Sequence, residues 1–257
     1  MRLTFLGTGT SFGVPQIGCG CAVCHSNDER DRRTRVGALV ETDEGGRILV
    51  DTPPELRLQL VRAGVGHVDA VLYTHDHADH THGIDDIRAF TARGGALEVY
   101  GSAATMSALQ QKFRYIFDPS VMALPGTYKP EGIPRVLAEG ETVRIAGADV
   151  TPVRVPHGRA EVFGYRIGAL AYVTDAKAIP PAAVERLRGA RVLVVNGLFF
   201  EPHPTHLSIP EAVQLARAVG AERTYLTHLT HRYSHAELES RLPPDVRPAY
   251  DGLTIDV

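Results

Sequence analysis

The hexapeptide H-x-H-x-D-H at residues 75–80, which follows the largely apolar run 68–73, constrains this chain more than any other feature. Its three imidazoles and its carboxylate cannot share one face of a helix or strand, because side chains repeat about every 3.6 residues in a helix and about every 2 in a strand. They can converge if the segment is a loop that turns away from the end of a buried strand. Imidazole nitrogen and carboxylate oxygen are ligands of zinc, manganese and iron. The pattern therefore predicts a metal site, and a His-rich polar surface loop is the alternative interpretation.

Three further candidate ligands each come just after a segment with the pattern of a strand. They are His157 after residues 149–155, Asp175 after residues 169–173 and His228 after residues 223–226. Loops at the ends of strands are a common place for functional side chains, because the sheet holds them rigidly. Any one of the three alone would more often be structural. Together with the hexapeptide they predict a single site.

The order of these residues resembles that of the metallo-β-lactamase superfamily, over essentially the whole chain. The resemblance implies two divalent ions, Zn or Mn, in a binuclear centre. It assigns one ion to His75, His77 and His157 and the other to Asp79, His80 and His228, with Asp175 bridging both. It also implies that Asp51 orients a ligand imidazole, as outer-shell carboxylates do in metal sites generally. The presence of both Asp79 and Asp175 favours a binuclear centre over the single-metal or cysteine-containing lactamase variants.

Strand and helix patterns alternate in both halves of the chain. Strands are expected near residues 2–7, 36–41, 46–51, 69–74, 96–100, 142–146, 148–155, 162–167, 170–174, 191–196 and 223–227, and helices near 54–64, 83–93, 103–117 and 209–219. With the resemblance, this order predicts one domain over residues 1–257 with an αββα four-layer sandwich of the metallo-β-lactamase type, although the pattern alone also fits other layered α/β folds. The stretch near 111–135 is expected to be an insertion that serves as a lid or dimer arm, or whose aromatics form a satellite core.

The three cysteines form a second constellation, C-x-C-x-x-C, at Cys19, Cys21 and Cys24. Three thiolates can face one ion, and a closed tetrahedral zinc site requires a fourth ligand. By residue type, His25, His231 and His235 are all candidates, and three free thiols are the alternative interpretation. The arrangement resembles that of the PhnP-type cyclic ribose-phosphate phosphodiesterases, which implies that His231 completes a structural zinc site.

A histidine that is not assigned to a metal, His206, comes just before the helical pattern 209–219. On residue type alone, a helix cap or surface role is more common there. In PhnP-type and transfer-RNA 3′-processing relatives, a histidine at this place contacts the substrate phosphate and protonates the leaving oxygen. The resemblance therefore implies that His206 is the general acid, with His203 in the same loop as the alternative.

These assignments predict a binuclear metal-dependent phosphodiesterase that acts on a small phosphodiester, cyclic diesters included. Water bound to such metals ionises near pH ~7, so a bridging hydroxide is expected to attack phosphorus while Asp79 accepts its hydrogen bond. A lactonase, a β-lactamase or a transfer-RNA 3′-processing nuclease could use the same metals. A single-iron dioxygenase or thiol transferase and a non-catalytic carrier in a cofactor pathway are further alternatives.

Composition limits the partners. A net charge of −3 offers no broad basic surface, so nucleic acid is not an expected partner. The sequence has no apolar span of 18 residues, and residues 1–5 have the pattern of a strand rather than of a signal peptide. We therefore expect a cytoplasmic protein that does not contact a membrane. We also expect a homodimer.

Overall fold

Two sheets make up the framework of the computed structural model, which describes the backbone of residues 1–257 and every side chain except those of Arg93 and Glu161. The strands, in chain order, are β1 Arg2–Gly7, β2 Gly37–Glu41, β3 Arg47–Val50, β4 Ala70–Leu72, β5 Leu97–Gly101, β6 Gly132–Val136, β7 Val143–Ile145, β8 Ala148–His157, β9 Ala160–Ile167, β10 Leu170–Val173, β11 Val192–Asn196, β12 Arg223–Thr227, β13 Val246–Pro248 and β14 Thr254–Asp256. The first sheet has the order β14-β1-β2-β3-β4-β5-β6, and the second has the order β13-β12-β11-β10-β9-β8-β7.

Helices cover the outer faces of both sheets. They are α1 Leu56–Arg62, α2 Ala78–Thr81, α3 Arg88–Gly94, α4 Ala103–Lys112, α5 Arg114–Phe117, α6 Pro181–Leu187, α7 Ile209–Val219 and α8 His235–Arg241, with 3-10 turns at Glu29–Asp31 and Ile84–Ile87. None of the helices in the described part of the chain is both long and apolar enough to cross a membrane.

The alternation of side chains along each strand sorts the buried apolar residues into three cores. Leu3 and Phe5 of β1 point into the core between the sheets, whereas Leu6 lies in the core under α1 and α4. A third core joins the outer face of the second sheet to α6, α7 and α8. The layers are therefore helix, sheet, sheet, helix, and the predicted αββα sandwich is confirmed.

The two sheets are tied together next to the hexapeptide. The hydroxyl of Tyr165 on β9 donates to the carbonyl of Tyr73 at 2.6 Å, and the amide of Phe163 donates to the carbonyl of Thr74 at 2.9 Å. Both carbonyls belong to the residues that link β4 to His75. The loop that begins at His75 is thus held to the opposite sheet by one side-chain and one backbone hydrogen bond.

The structure differs from the expected elements in the middle of the chain. The helix expected over 103–117 is broken at Phe113, whose φ of −125° and ψ of 45° separate α4 from α5. The stretch expected as an insertion, near 111–135, contains α5 and ends in β6, the edge strand of the first sheet. The strand β6 was not predicted from the sequence, because it contains Pro134 and proline is tolerated only at sheet edges or bulges. A role of this stretch as a lid or dimer arm, and the single-domain organisation, stay predictions.

A buried arginine fixes the long loop between β1 and β2. Arg33 is fully buried, and its guanidinium donates to the carbonyls of Thr230 and Tyr233 and pairs with Asp31 at 3.2 Å. The carboxylate of Asp31 in turn accepts from the amide of His235 at 2.6 Å. Since a buried charge must be paired and hydrogen-bonded, this network holds the N-terminal loop against residues 230–235.

Candidate metal centre

The candidate ligands lie at the carboxyl ends of strands from both sheets. His157 ends β8, Asp175 comes two residues after β10 and His228 directly follows β12. Asp51, directly after β3, has a φ of 61°, and Asp175 and His228 have φ values of 57° and 56°. The left-handed region is unfavourable for residues other than glycine, and such residues persist where the surroundings hold them, often at functional sites.

The hexapeptide changes from extended to helical backbone at its middle. His77 has a φ of −64° and a ψ of 152°, and α2 begins at the next residue. As a consequence, His75 and His77 lie on the strand side of the turn, whereas Asp79 and His80 are carried by the short helix α2. One continuous stretch of six residues can therefore supply two separate groups of ligands.

Potential ligand atoms form two groups around one carboxylate. Those of His75, His77 and His157 lie within 4.8 Å of one another, and so do those of Asp79, His80 and His228. Asp175 lies between the groups. Its Oδ1 is 3.4 Å from Nε2 of His80, and its Oδ2 is 3.3 Å from Nε2 of His228 and 4.0 Å from Nε2 of His157. The structure thus brings together all seven residues that the sequence assigned to the binuclear site.

Outer partners orient three of the imidazoles through Nδ1. His80 Nδ1 is 2.7 Å from Oδ2 of Asp51, whose carboxylate also accepts from the amide and hydroxyl of Thr74 at 2.8 Å each. His75 Nδ1 lies 3.0 Å from the Thr74 hydroxyl. His157 Nδ1 donates to the carbonyl of Thr205 at 3.0 Å. With Nδ1 engaged in this way, each Nε2 is directed towards the centre.

The donor set fits a metal. The Nε2 atoms of His75, His80 and His228 are buried and have no hydrogen-bond partner among the described residues. Leaving a buried polar atom unsatisfied costs about 1–3 kcal/mol. A divalent ion bound by these nitrogens would satisfy them.

Burial and neighbouring charges give the central histidines different protonation states. Burial opposes protonation of His80, but the carboxylates of Asp175 and Asp51 outweigh it and raise the pKa of His80 well above its usual value. Burial lowers the pKa of His75 well below its usual value and that of His228 to about 4. His75 and His228 are therefore neutral at pH 7, the form in which imidazole binds a metal.

The cysteines converge on His231. Nδ1 of His231 lies 3.3 Å from Sγ of Cys19, 3.4 Å from Sγ of Cys21 and 3.6 Å from Sγ of Cys24. Tetrahedral zinc with the usual Zn–S and Zn–N bond lengths places sulfur and nitrogen about 3.5 Å apart. The four side chains therefore fit a closed structural zinc site. A backbone hydrogen bond from Cys24 is the largest effect that lowers the pKa of Cys21, to about 6.

The two other candidates for the fourth ligand lie elsewhere. His25 Nδ1 is 3.2 Å from the carbonyl of Cys21 rather than near a thiol. His235 is buried at the start of α8, and its Nε2 lies 3.4 Å from Glu239. Among the alternatives that the sequence left open, the geometry favours His231.

The cysteine cluster and the central residues are joined by one short segment. His228 and His231 are three residues apart, and Leu229 between them exchanges backbone hydrogen bonds with the N-terminal loop. The amide of Leu229 donates to the carbonyl of Thr8 at 2.8 Å, and the amide of Thr10 donates to the carbonyl of Leu229 at 3.3 Å. An ion in the cysteine cluster would therefore stiffen the segment that carries His228.

His206 lies against the centre, and its ring is partly exposed. Its Nε2 is 3.2 Å from Oδ2 of Asp175, and its ring stacks on that of His228 at a centroid distance of 4.7 Å. Its Nδ1 is 2.9 Å from the hydroxyl of Thr205. His206 also falls within 4.8 Å of ligand atoms of His157 and Asp175, so proximity alone does not separate an acid from a ligand.

Two threonines that support the site were not identified from the sequence. Thr74 precedes His75 and binds Asp51, and Thr205 precedes His206 and accepts from His157 through its carbonyl. Threonine is common in loops, and no spacing rule marks one whose partner lies far along the chain.

Comparison with known proteins gives the following similarities. Residues 46–229 match the family described as beta-lactamase superfamily domain. A crystal structure of a diphosphatase from the PhnP family is 41% identical, with a TM-score of 0.89, and the match covers 99% of this chain and 97% of that protein. A ribonuclease Z of Methanopyrus kandleri is 32% identical over 88% of this chain and 92% of its own length. An octanoyltransferase of Porphyromonas gingivalis is 38% identical over 98% of this chain, which spans 51% of the length of that relative.

Replacement of one thiol tests the cysteine cluster. Cys21→Ser should remove about one zinc per chain and lower the melting temperature by about 4 °C or more, because a structural zinc contributes directly to folding. The other divalent ions should stay bound to the folded fraction. His25→Ala is the matched control and should leave the zinc content unchanged. Unchanged zinc and stability in Cys21→Ser would show that the cysteines are ordinary thiols.

Proton release on metal binding tests the electrostatics of the centre. The raised pKa of His80 means that this ring is protonated at pH 7 without metal, so binding of an ion must displace a proton, and affinity should rise with pH up to that pKa. Calorimetry in two buffers of different ionisation enthalpy, on protein that retains zinc in the cysteine cluster, should find about one proton released. Asp51→Asn should reduce this number, whereas Asp69→Asn, which alters the exposed pair with His67, should not. Binding without proton release in the unsubstituted protein would contradict this account.

Proposed function

The chain belongs to the β-lactamase superfamily, and from this premise we propose that it is a metal-dependent phosphodiesterase with a binuclear centre. The observation that carries the proposal is the pair of three-residue ligand groups that meet at Asp175. A single bound ion would need only one of these groups. Two groups that meet at one carboxylate suit two ions, and Asp175 would contribute to the binding of both.

The ligands would be those that the resemblance to the metallo-β-lactamase superfamily implies. His75, His77 and His157 would hold one divalent ion, and Asp79, His80 and His228 would hold the other. Two ions at this place would lower the pKa of water and neutralise phosphoryl oxygens as charge builds up. The zinc of the cysteine cluster would stay outside the reaction. Zn and Mn both suit the nitrogen and oxygen donors.

His206 is proposed to be the general acid. The carboxylate of Asp175 can only accept, so a hydrogen bond over the 3.2 Å contact requires a proton on Nε2 of His206, at the edge of the centre. This proton is within reach of a leaving oxygen on a phosphorus held beside Asp175. Asp79, which is partly exposed, would accept a hydrogen bond from the attacking hydroxide while it serves as a ligand.

Chemistry at phosphorus is favoured over the other reactions of such a centre. The named activities of two relatives, the diphosphatase and the ribonuclease Z, are both reactions at phosphorus. A transfer-RNA nuclease is less well supported, because a net charge of −3 offers no broad basic surface. About half of the octanoyltransferase lies outside the match, so this similarity gives no reason to expect acyl transfer.

A diphosphate is the second candidate substrate. The 41% identity to a PhnP-family diphosphatase supports it. The attacked atom is again a phosphorus, and the difference lies in the leaving group, which is a phosphate rather than an alkoxide. The homodimer and the cytoplasmic location stay predictions from the sequence.

Hydrolysis of a defined panel tests the proposed function. Protein reconstituted with Zn²⁺ or Mn²⁺ should hydrolyse phosphodiesters and diphosphate diesters in preference to a lactone or a β-lactam, and chelation should abolish the activity. Faster hydrolysis of the lactone or β-lactam would overturn the proposal.

His206→Ala then separates the acid from a ligand. The variant should keep its full metal content and lose about 10²–10⁴-fold in kcat on an alkyl phosphodiester, because general acid catalysis contributes about that much. The loss should be much smaller on a nitrophenyl ester, whose leaving group departs without a proton. Loss of an ion would instead make His206 a ligand, and equal losses on both esters would make it a residue that positions the substrate.

A further inference from the structure

A second histidine, His203, shares a support with His206. Both lie in the loop between β11 and α7, and their ring centroids are 5.3 Å apart. Nδ1 of His206 lies 2.9 Å from the hydroxyl of Thr205, and Nδ1 of His203 lies 3.3 Å from the same atom. One threonine therefore orients two neighbouring imidazoles.

The hydrogen bonds fix where the neutral ring of His203 carries its proton. The backbone amide of Thr205 donates to Nδ1 of His203 at 3.4 Å, so this nitrogen is an acceptor. A neutral imidazole with an acceptor at Nδ1 carries its hydrogen on Nε2. Nε2 of His203 has no hydrogen-bond partner among the described residues, and the ring is partly exposed. It is a free N–H donor beside the centre.

The same reasoning applied to Thr205 gives the two histidines parallel roles. His206 donates from Nε2 to Asp175, so its Nδ1 accepts the hydroxyl hydrogen of Thr205. The single hydroxyl hydrogen of Thr205 is then donated to His206, so Nδ1 of His203 accepts only from the backbone amide of Thr205. Both rings thus carry their proton on Nε2, and that of His206 faces Asp175.

An exposed arginine, Arg159, lies in the turn that packs on Thr205. The turn between β8 and β9 consists of Gly158 and Arg159 and directly follows His157. A Cβ on Gly158 would come within 3.0 Å of the Thr205 side chain, so the turn packs on Thr205. Arg159 is exposed and has no ion-pair or hydrogen-bond partner among the described side chains. Lys177, by contrast, is already bound to Glu211 at 2.8 Å.

We propose that His203 and Arg159 form an anion subsite for the leaving group, through which the centre also accepts the second candidate substrate, a diphosphate diester. The proposal rests on the function proposed above. In the reaction, water would release one proton to solvent and its oxygen would bond to one phosphorus, the bond from this phosphorus to the bridging oxygen would break, and the electron pair would stay on the second phosphate. Water is the only co-reactant. The subsite binds the second phosphate in the substrate and stabilises the negative charge that it gains.

Under this assignment, His206 and the anion subsite contribute to the rate for different leaving groups. An alkoxide is a strong base and needs the proton of His206 to leave. A phosphate is a weak base that leaves without it, but its charge needs hydrogen-bond donors and a cation. Loss of the subsite should therefore affect the diphosphate most, and loss of His206 should affect the phosphodiester most.

The test compares two substrates that differ in the leaving group, P1,P2-diadenosine diphosphate and adenylyl-adenosine. The measured quantity is the ratio of kcat/KM for the diphosphate to that for the phosphodiester, with metal-reconstituted protein. Arg159→Ala and His203→Ala should each lower this ratio about 10–100-fold, the effect expected for the loss of a hydrogen bond to a charged group. His206→Ala should raise it, and Arg217→Ala, which removes an exposed arginine on α7, should leave it unchanged.

A binding measurement tests the subsite independently of turnover. Methylenediphosphonate, which cannot be hydrolysed at its bridge, should bind the unsubstituted protein more tightly than inorganic phosphate in calorimetry, and Arg159→Ala should remove about 10-fold or more of this preference. An unchanged substrate ratio and an unchanged preference in both variants would overturn the subsite. If the unsubstituted protein hydrolyses neither substrate, the proposed function fails. The binding measurement then decides the subsite by itself, because an unchanged diphosphonate preference in Arg159→Ala would overturn it.

Discussion

The site depends on one buried carboxylate, Asp175, held among imidazoles from both sheets. Its two oxygens face different partners, Oδ1 towards His80 and Oδ2 towards His228. Burial alone would raise the pKa of this carboxyl, yet His228 and His80 hold it well below its usual value. An ionised carboxylate at this depth is stable only when opposite charge surrounds it. The cluster therefore has a built-in requirement for cations, which protons supply in part and metals can supply fully.

The fold meets this requirement through the ends of its strands. Residues that follow β3, β10 and β12 in left-handed conformations turn their side chains towards one point. The amide of Phe163 and the hydroxyl of Tyr165 donate hydrogen bonds that hold the start of the hexapeptide there. On the opposite side, Arg33 and the cysteine cluster fix the segment that carries His228. Thr205 accepts from His157 through its carbonyl and contacts two further imidazoles, His203 and His206, through its hydroxyl.

Much of this arrangement could be predicted from the sequence, because local spacing encodes it. The residue spacing of the hexapeptide predicted that it turns, and strand patterns predicted that His157 and His228 lie at the ends of strands. The fourth partner of the cysteines could not be derived this way, since His25, His231 and His235 are equivalent by type and only tertiary contacts distinguish them. Arg159 was not identified from the sequence for a similar reason. Its position depends on a turn that packs against a distant loop, and the two segments meet where His157 contacts Thr205, 48 residues further along the chain.

Anomalous diffraction at the metal absorption edge, from crystals of the reconstituted protein, tests most directly whether two ions share Asp175. The account predicts two peaks about 3.5–4 Å apart on either side of this carboxylate, the spacing of two-metal phosphoesterases. A third peak should lie among Cys19, Cys21, Cys24 and His231. A single peak at Asp175 in fully loaded protein would contradict the binuclear centre.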